Sequence, residues 1–289
     1  MKPPVFEYFG GTDVDEVLGL LGQFGDDAKV LAGGQSLVPL LNFRLAAPAR
    51  LVDVNGLGEL AYVRRRGGAL RVGALTRQVT MERSPLVAEH WPLLTDALGF
   101  VAHAQIRNRG TVGGSVAHAD PAAELPVAFA ALDARMHARS AERGDRVIGW
   151  REFFVTHLTT SLEPDELLVE IEVPALPEGA GWAFTEYARR HGDFALGGAA
   201  AMVAMNGSGV REARIALLGA ADTPIRAEAA EQALVGAQID EDTAAEAAHL
   251  AVQDINPTGD IHGSSEYRRL LIEAMVRRAL VAAAQRAGR

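Results

Sequence analysis

Two short stretches of the chain carry residue types that could hold an anion. Val30 to Pro39 reads VLAGGQSLVP, and Arg109 to Pro121 reads RGTVGGSVAHADP. Each sets a Gly-Gly pair between an apolar, strand-like run and a segment able to begin a helix. Glycine lacks a Cβ, so consecutive backbone N–H groups stay open to a closely approaching anion. Ser36 follows the first pair as the expected N-cap of a short helix, LVPLLNFRL. Pro39 is tolerable there because the first helical turn has spare donors anyway. The helix start adds about 0.3–1 kcal/mol for a nearby negative charge. In the second stretch Gly110, Gly113 and Gly114 flank Thr111 and Ser115, whose hydroxyls can also donate. Asp120-Pro121 then reads as the cap and first residue of a further helix. Neither stretch has GxGxxG spacing or the GK[ST] of a P-loop. Two readings stand: two tight connections, or two turns that converge on two linked phosphates, one turn to each.

Other chemistry-bearing residues lead less far. The 8 His residues include no HxH or HExxH spacing, so no metal site is expected, and His103 and His118 alone lie near a motif. The paired carboxylates of EPDE, Glu163 to Glu166, could serve acid–base work, but they precede a strand and read as a turn. YARRHGD, Tyr187 to Asp193, mixes charges that suit either an acceptor or partner contact or a solvated strand end. Ser36 does not sit in a GxSxG elbow, so hydrolase chemistry is not indicated.

The elements that must position the glycine stretches follow from periodicity. Residues 5–34 read as strand, helix, strand: Asp13 caps a helix with Val14, Val17, Leu18 and Leu21 on one face, Gly25 closes it, and AKVLAGG forms a buried strand. LVDVN at Leu51–Asn55 is a further strand, and LAYVRRRGGALRVGALT a hairpin with the Arg64–Arg66 run at its tip. PLVAEHWPLLTDALGFVA is helical and Pro92 divides it. PAAELPVAFAALDARMHARS holds a helix leading into a strand, and LLVEIEVP alternates as a half-exposed strand does. Past a boundary near residue 176 come three strands, two joined by NGSG, and Ala-rich helices near 226–235, 242–254 and 265–286.

Composition narrows the class. The chain has 289 residues, enough for about two domains. A formal charge of −9 argues against a broad nucleic-acid-binding face. With 0 cysteines, the chain supplies no thiol nucleophile and no thiolate ligands for an iron–sulfur cluster. No continuous apolar run of signal-peptide or membrane-span type is present, which makes a cytoplasmic protein without a transmembrane segment the expectation.

In this order, LAGGQSLVPLLNFRLAAPARLVDVN, QIRNRGTVGGSVAHADPAAELP and GDFA resemble the flavin-binding medium subunit of molybdenum hydroxylases, the carbon monoxide dehydrogenase and xanthine dehydrogenase family. The resemblance covers nearly the whole chain. It implies an α+β architecture: a two-subdomain FAD-binding fold of the vanillyl-alcohol-oxidase type, residues 1–176 divided near 55, then a C-terminal α+β domain at 177–289, a three-stranded sheet with helices. It also implies FAD with its pyrophosphate against both glycine turns. Lys29, Val30 and Leu31 lead into the first, which maps onto Ala32, Gly33, Gly34, Gln35 and Ser36. The second maps onto Gly110, Thr111, Gly113, Gly114 and Ser115, with His118 just beyond. Val101, Glu124 and Leu168 match further FAD contacts, and a carboxylate at Glu124 suits a sugar or ribityl hydroxyl. Three positions depart from common patterns: Gln35 stands where some relatives have His, Phe194 where some have Tyr near the flavin ring, and Glu186 where several have Lys.

The activity so implied is electron transfer from a small 2Fe-2S subunit through FAD to an external acceptor. A large molybdenum-cofactor subunit would oxidise the organic substrate, the whole assembling as a dimer of heterotrimers. No catalytic residue and no metal ligand is expected in this chain. Its lack of Cys fits clusters housed in the partner, and speaks against the subclass whose flavin subunit carries a four-iron cluster. A stand-alone flavin oxidase or reductase would need its own acid or base beside the flavin, and an assembly subunit without flavin would have no use for intact glycine turns.

Overall fold

A computed structural model describes residues 2–288. Three sheets organise the chain. The first is parallel: the strand Arg50–Asp53 lies between Glu7–Gly10 and Ala28–Leu31, with Leu51 level with Tyr8 on one side and Lys29 on the other. Parallel neighbours need crossovers. The helix Val14–Phe24 supplies the first, capped by the Asp13 carboxylate accepting from the Glu16 N–H at 2.8 Å and closed at Gly25, whose φ is 50°. The helix Leu37–Phe43 supplies the second. Ala28–Leu31 is an edge strand and only partly buried, not the buried strand its apolar run suggests.

The second sheet is antiparallel, ordered Val63–Arg66, Ala69–Gly73, Glu166–Val173, Arg135–Ser140, Gly144–Gly149. Gly67 and Gly68, with φ of 59° and 84°, make the expected hairpin tip. Glu166–Val173 is the central strand and buried along most of its length. Its acidic alternation suggests half exposure, but Glu170 is satisfied by Tyr62 at 2.7 Å and Arg71 at 2.6 Å. Pro92 does divide its helical stretch, into Pro85–His90 and Pro92–Phe100.

The third sheet has four strands, Gly181–Tyr187, Gly197–Asn206, Gly209–Leu218 and Ile225–Arg226, where three were expected. The fourth is two residues long and too short to show in a pattern. Helices Glu228–Leu234, Glu241–Ala251 and Ser265–Arg286 complete this part. Small residues let Ser265–Arg286 lie almost on the sheet: a Cβ on Gly181 would sit 1.9 Å from the Ala283 carbonyl oxygen.

One apolar core joins the second and third sheets, including Trp91, Leu98, Phe129 and Ile171 from one and Phe184, Ala200 and Leu218 from the other. Polar clamps reinforce the seam. Asp133 accepts from Arg226 at 3.0 Å and pairs with Arg214 at 3.1 Å, while Arg286 reaches Asp96 at 2.7 Å. Among the described residues no helix is long and apolar enough to cross a membrane.

Candidate functional site

The two glycine stretches meet. A Cβ on Gly33 would stand 2.5 Å from the Arg109 carbonyl oxygen and 2.8 Å from the Gly110 Cα, so only glycine permits this approach. On the other side, a Cβ on Gly114 would lie 3.8 Å from that of Ala32. Gly34 has φ of 72°, the left-handed conformation that turns the chain from strand Ala28–Leu31 into helix Leu37–Phe43.

The turns differ in what they leave open. Among the described residues, the N–H groups of Gly33, Gly34, Gln35 and Ser36 have no protein acceptor. Ser36 flanks the helix, yet its hydroxyl makes no capping bond, contrary to expectation, because its own backbone is already helical at φ −101°, ψ −48°. The Gln35 side chain donates to the Gly33 carbonyl at 2.9 Å and braces the turn from within.

The second stretch is helical from Val112 to His118, so Gly113 and Gly114 lie in the first turn of a helix and not before it. Thr111 caps it, its hydroxyl accepting from the Gly114 N–H at 3.0 Å. Val112 and Gly113 donate to Thr76 and Ala74 at 2.9 and 2.8 Å, and Ser115 to Thr111 at 3.1 Å. The run of open amides therefore belongs to the first turn, while the second leaves open only the Thr111 N–H among these groups and otherwise contributes shape and position. The helix expected at Asp120-Pro121 begins later, at Glu124; the Asp120 carboxylate instead accepts from the Ala122 N–H at 2.8 Å in a local turn.

Two residues that sequence reasoning passed over bind the turns together. Asn55 donates to the Ala32 carbonyl at 2.7 Å, and its own side-chain oxygen accepts from Arg77 at 2.8 Å. Arg77 also donates to the Arg109 carbonyl at 2.5 Å, which ties the first turn to the second through one guanidinium. Asn55, just past a strand that flanks the turn, carries a weak signal; Arg77 carries none.

A cleft of about 980 Å³, a size suited to a cofactor, opens between the turn at Asp120 and the loops at the edge of the third sheet. Asp120 lines one wall, Leu196 and Arg268 the other, and Phe194, 75% exposed, stands at the rim. Gly192, with φ of 88°, lies so close to His103 that a Cβ would meet its ring at 2.4 Å. Burial, above all, holds the His118 imidazole below its ordinary range, with a smaller push from Lys29.

Val101 and Leu168 are core side chains. Arg107 fixes Val101 by donating to its carbonyl at 2.8 Å while gripping Glu82 at 2.8 and 3.1 Å. Glu124, 9% exposed, opens its helix toward the seam, and burial pushes its carboxyl up to about 7. Glu186, from the third sheet, is pushed up to about 8 by burial and then by the Glu124 charge. Among the described residues no group of three or more His, Cys, Asp or Glu could hold a metal ion.

A row of free amides at a strand–helix turn, closed by a second glycine contact, is an arrangement suited to the phosphates of a dinucleotide in an α+β protein. Residues 4–176 match the family model described as FAD binding domain in molybdopterin dehydrogenase, and 182–283 that of the CO dehydrogenase flavoprotein C-terminal domain. The chain belongs to this family of flavoprotein subunits of molybdenum-dependent oxidoreductases, and its cofactor is FAD. It is 48% identical over 288 residues to the 6-hydroxypseudooxynicotine dehydrogenase complex subunit alpha of Paenarthrobacter nicotinovorans, covering 99% of this chain and 97% of the relative. A solved structure of carbon monoxide dehydrogenase from Hydrogenophaga pseudoflava, lacking the Mo-pyranopterin moiety, superposes with a TM-score of 0.97 at 40% identity over 100% of both chains. Quinoline 2-oxidoreductase from Pseudomonas putida 86 gives 0.94 at 44% identity over 99% of each.

Proposed function

We propose that this chain takes electrons from a 2Fe-2S partner subunit and passes them through FAD to an external acceptor, within an assembly that includes a large molybdenum-cofactor subunit. The assembly is a cytoplasmic dimer of heterotrimers. Bound FAD supplies the redox chemistry, and the protein supplies position, environment and access. The observation that carries the reading is the run of unbonded amides from Gly33 to Ser36, facing a turn that only glycine lets close.

In this reading those amides donate to the pyrophosphate, and the helix Leu37–Phe43 behind them adds its positive end. The second turn backs them: Gly33 rests on Arg109 and Gly110, so the amide row keeps its spacing. Lys29, His118, Gly114 and Ser115 would contribute from around the two turns, and Glu124 would accept from a ribityl or sugar hydroxyl. Val101 and Leu168 would offer main-chain contact, and Phe194, exposed at the rim of the cleft, would be available to the flavin. The division into residues 1–55, 56–176 and 177–289 is the working one for this assignment. The organic substrate is chosen in the molybdenum subunit, so no side chain here acts on it.

The test is the absorption spectrum of the purified chain with and without added FAD, followed by purification of the chain with its native partners. A flavin spectrum and co-purification of a large and a small subunit are expected. A flavin-loaded chain that turns over a substrate alone would refute the electron-transfer assignment.

A further inference from the structure

Asp53 stands where the three parallel strands end together. It closes the central strand, level with Gly10 on one neighbour and Leu31 on the other. Parallel sheets take ligands outside the carboxyl ends of their strands, and the first glycine turn leaves the sheet at that end, directly after Leu31. Both Asp53 carboxylate oxygens are occupied. Oδ2 accepts from the Tyr8 hydroxyl at 2.6 Å, a bond from an edge strand to the central one. Oδ1 accepts from the Asn55 backbone N–H at 2.8 Å and from the Asn55 Nδ2 at 2.7 Å. An aspartate that accepts from the N–H two residues on bends the chain after the strand and holds it there.

The Asn55 amide then has one possible orientation. Its nitrogen faces two acceptors, Asp53 and the Ala32 carbonyl at 2.7 Å, and its oxygen faces a donor, Arg77, at 2.8 Å. Arg77 in turn holds the Arg109 carbonyl, the oxygen against which Gly33 packs. An unbroken line of hydrogen bonds therefore runs from Tyr8 through Asp53, Asn55 and Arg77 to the junction of the two turns. Burial works against the Asp53 charge, but the bonds from Tyr8 and Asn55 outweigh it and hold the carboxyl below its ordinary range. An ionised acceptor makes such bonds shorter and stronger than a neutral one does.

We propose that Asp53, held by Tyr8, is a positioning residue for FAD, fixing the Asn55 amide that keeps the first turn at the spacing its N–H groups need. It acts through Asn55 and does not itself touch the cofactor. The link to FAD rests on the pyrophosphate reading of the amide row; the line of hydrogen bonds does not.

The test is a double-mutant cycle on the full chain, read by flavin-fluorescence titration. Asp53→Ala and Asn55→Ala are each expected to weaken FAD binding about tenfold, and the double variant also about tenfold, because the two act through one contact. Asp53→Asn should restore most of the affinity: its amide oxygen still accepts from Asn55, while its NH2 group donates to the Tyr8 hydroxyl. Phosphorus NMR of bound FAD gives a signature that a general loss of stability leaves unmoved. The diphosphate resonances should shift in Asp53→Ala and return in Asp53→Asn. Unshifted resonances, or losses that multiply to about a hundredfold in the double variant, would overturn the proposal. Where Asp53→Ala does not fold, the milder Tyr8→Phe carries the comparison, with about a threefold loss expected and native affinity counting against the proposal. A native chain that binds no FAD sinks the pyrophosphate reading. The Asn55 side-chain amide signal of the apo chain, labelled with nitrogen-15 at asparagine, then decides the remainder. It should move in Asp53→Ala or Tyr8→Phe, and an unchanged signal refutes the role given to Asp53.

Discussion

Replacing Gly33 with Ala tests the junction on which the site is built. Its new Cβ would lie 2.5 Å from the Arg109 oxygen, about 0.9 Å inside an ordinary 3.4 Å contact, and 2.8 Å from the Gly110 Cα. Gly33 does not have a positive φ, so the effect is a clash and not backbone strain. The wall cannot yield cheaply. Arg109 is held by Arg77 at 2.5 Å, and Gly110 by Gln78 and Ile106 at 2.9 and 2.7 Å. Overpacking costs about 1–3 kcal/mol and a lost hydrogen bond about 0.5–1.5, which puts the total near 2–4 kcal/mol. That corresponds to a fall in Tm of roughly 3–7 °C for a chain of this size. A turn displaced by about 1 Å also loses charge-assisted bonds to a bound diphosphate, each worth about 1.5–3 kcal/mol, so FAD affinity should drop about 100-fold. Thermal unfolding of the apo chain and flavin-fluorescence titration measure the two effects. A folded G33A variant with native Tm and native FAD affinity would refute the reasoning.

Three further outcomes follow from particular contacts. Arg77→Lys keeps the charge but loses the fork that joins Asn55 to Arg109, and is expected to weaken FAD binding about tenfold while the chain stays folded, read by the same titration. Arg226→Ala leaves Glu231 without the guanidinium that holds it at 2.5 and 2.8 Å and removes a seam clamp, costing about 3–5 kcal/mol in urea unfolding; replacing Arg226 and Glu231 together with Met should recover only part of it, because the buried Ile215 N–H, which donates to Glu231 at 2.7 Å, then has no acceptor. Gly19→Ala and Gly22→Ala add a Cβ that meets nothing within 4 Å inside the helix Val14–Phe24, and each should stabilise by about 0.5–1 kcal/mol, visible as a raised Tm.

What the chain betrayed in advance was whatever depends on local chemistry. Asp13, Gly25, the Gly67-Gly68 tip and the Pro92 break each act within a few residues, and each stands where its residue type demands. Ordered motifs were enough to mark FAD and the family. Pairings decided far along the chain stayed hidden. The acidic alternation of Glu166–Val173 gave no sign of Arg71 and Tyr62, which satisfy Glu170 at the middle of a sheet. Capping was misread twice, at Ser36 and at Asp120, because a cap depends on the backbone angle of one residue. The second glycine pair looked like an open turn, since only the contacts to the Ala74 carbonyl and the Thr111 hydroxyl reveal that its amides are already taken.

The apolar core that runs uninterrupted from Trp91 through Phe184 to Leu218 has a mechanical consequence. Swinging the C-terminal sheet away would wet Phe184, Ala200 and Leu218 at about 25 cal/mol for every Å² exposed, so a hinge at the seam is energetically closed. The second and third sheets therefore move as one rigid block, and in the proposed electron-transfer role the gap to a neighbouring subunit would be set by how that block docks.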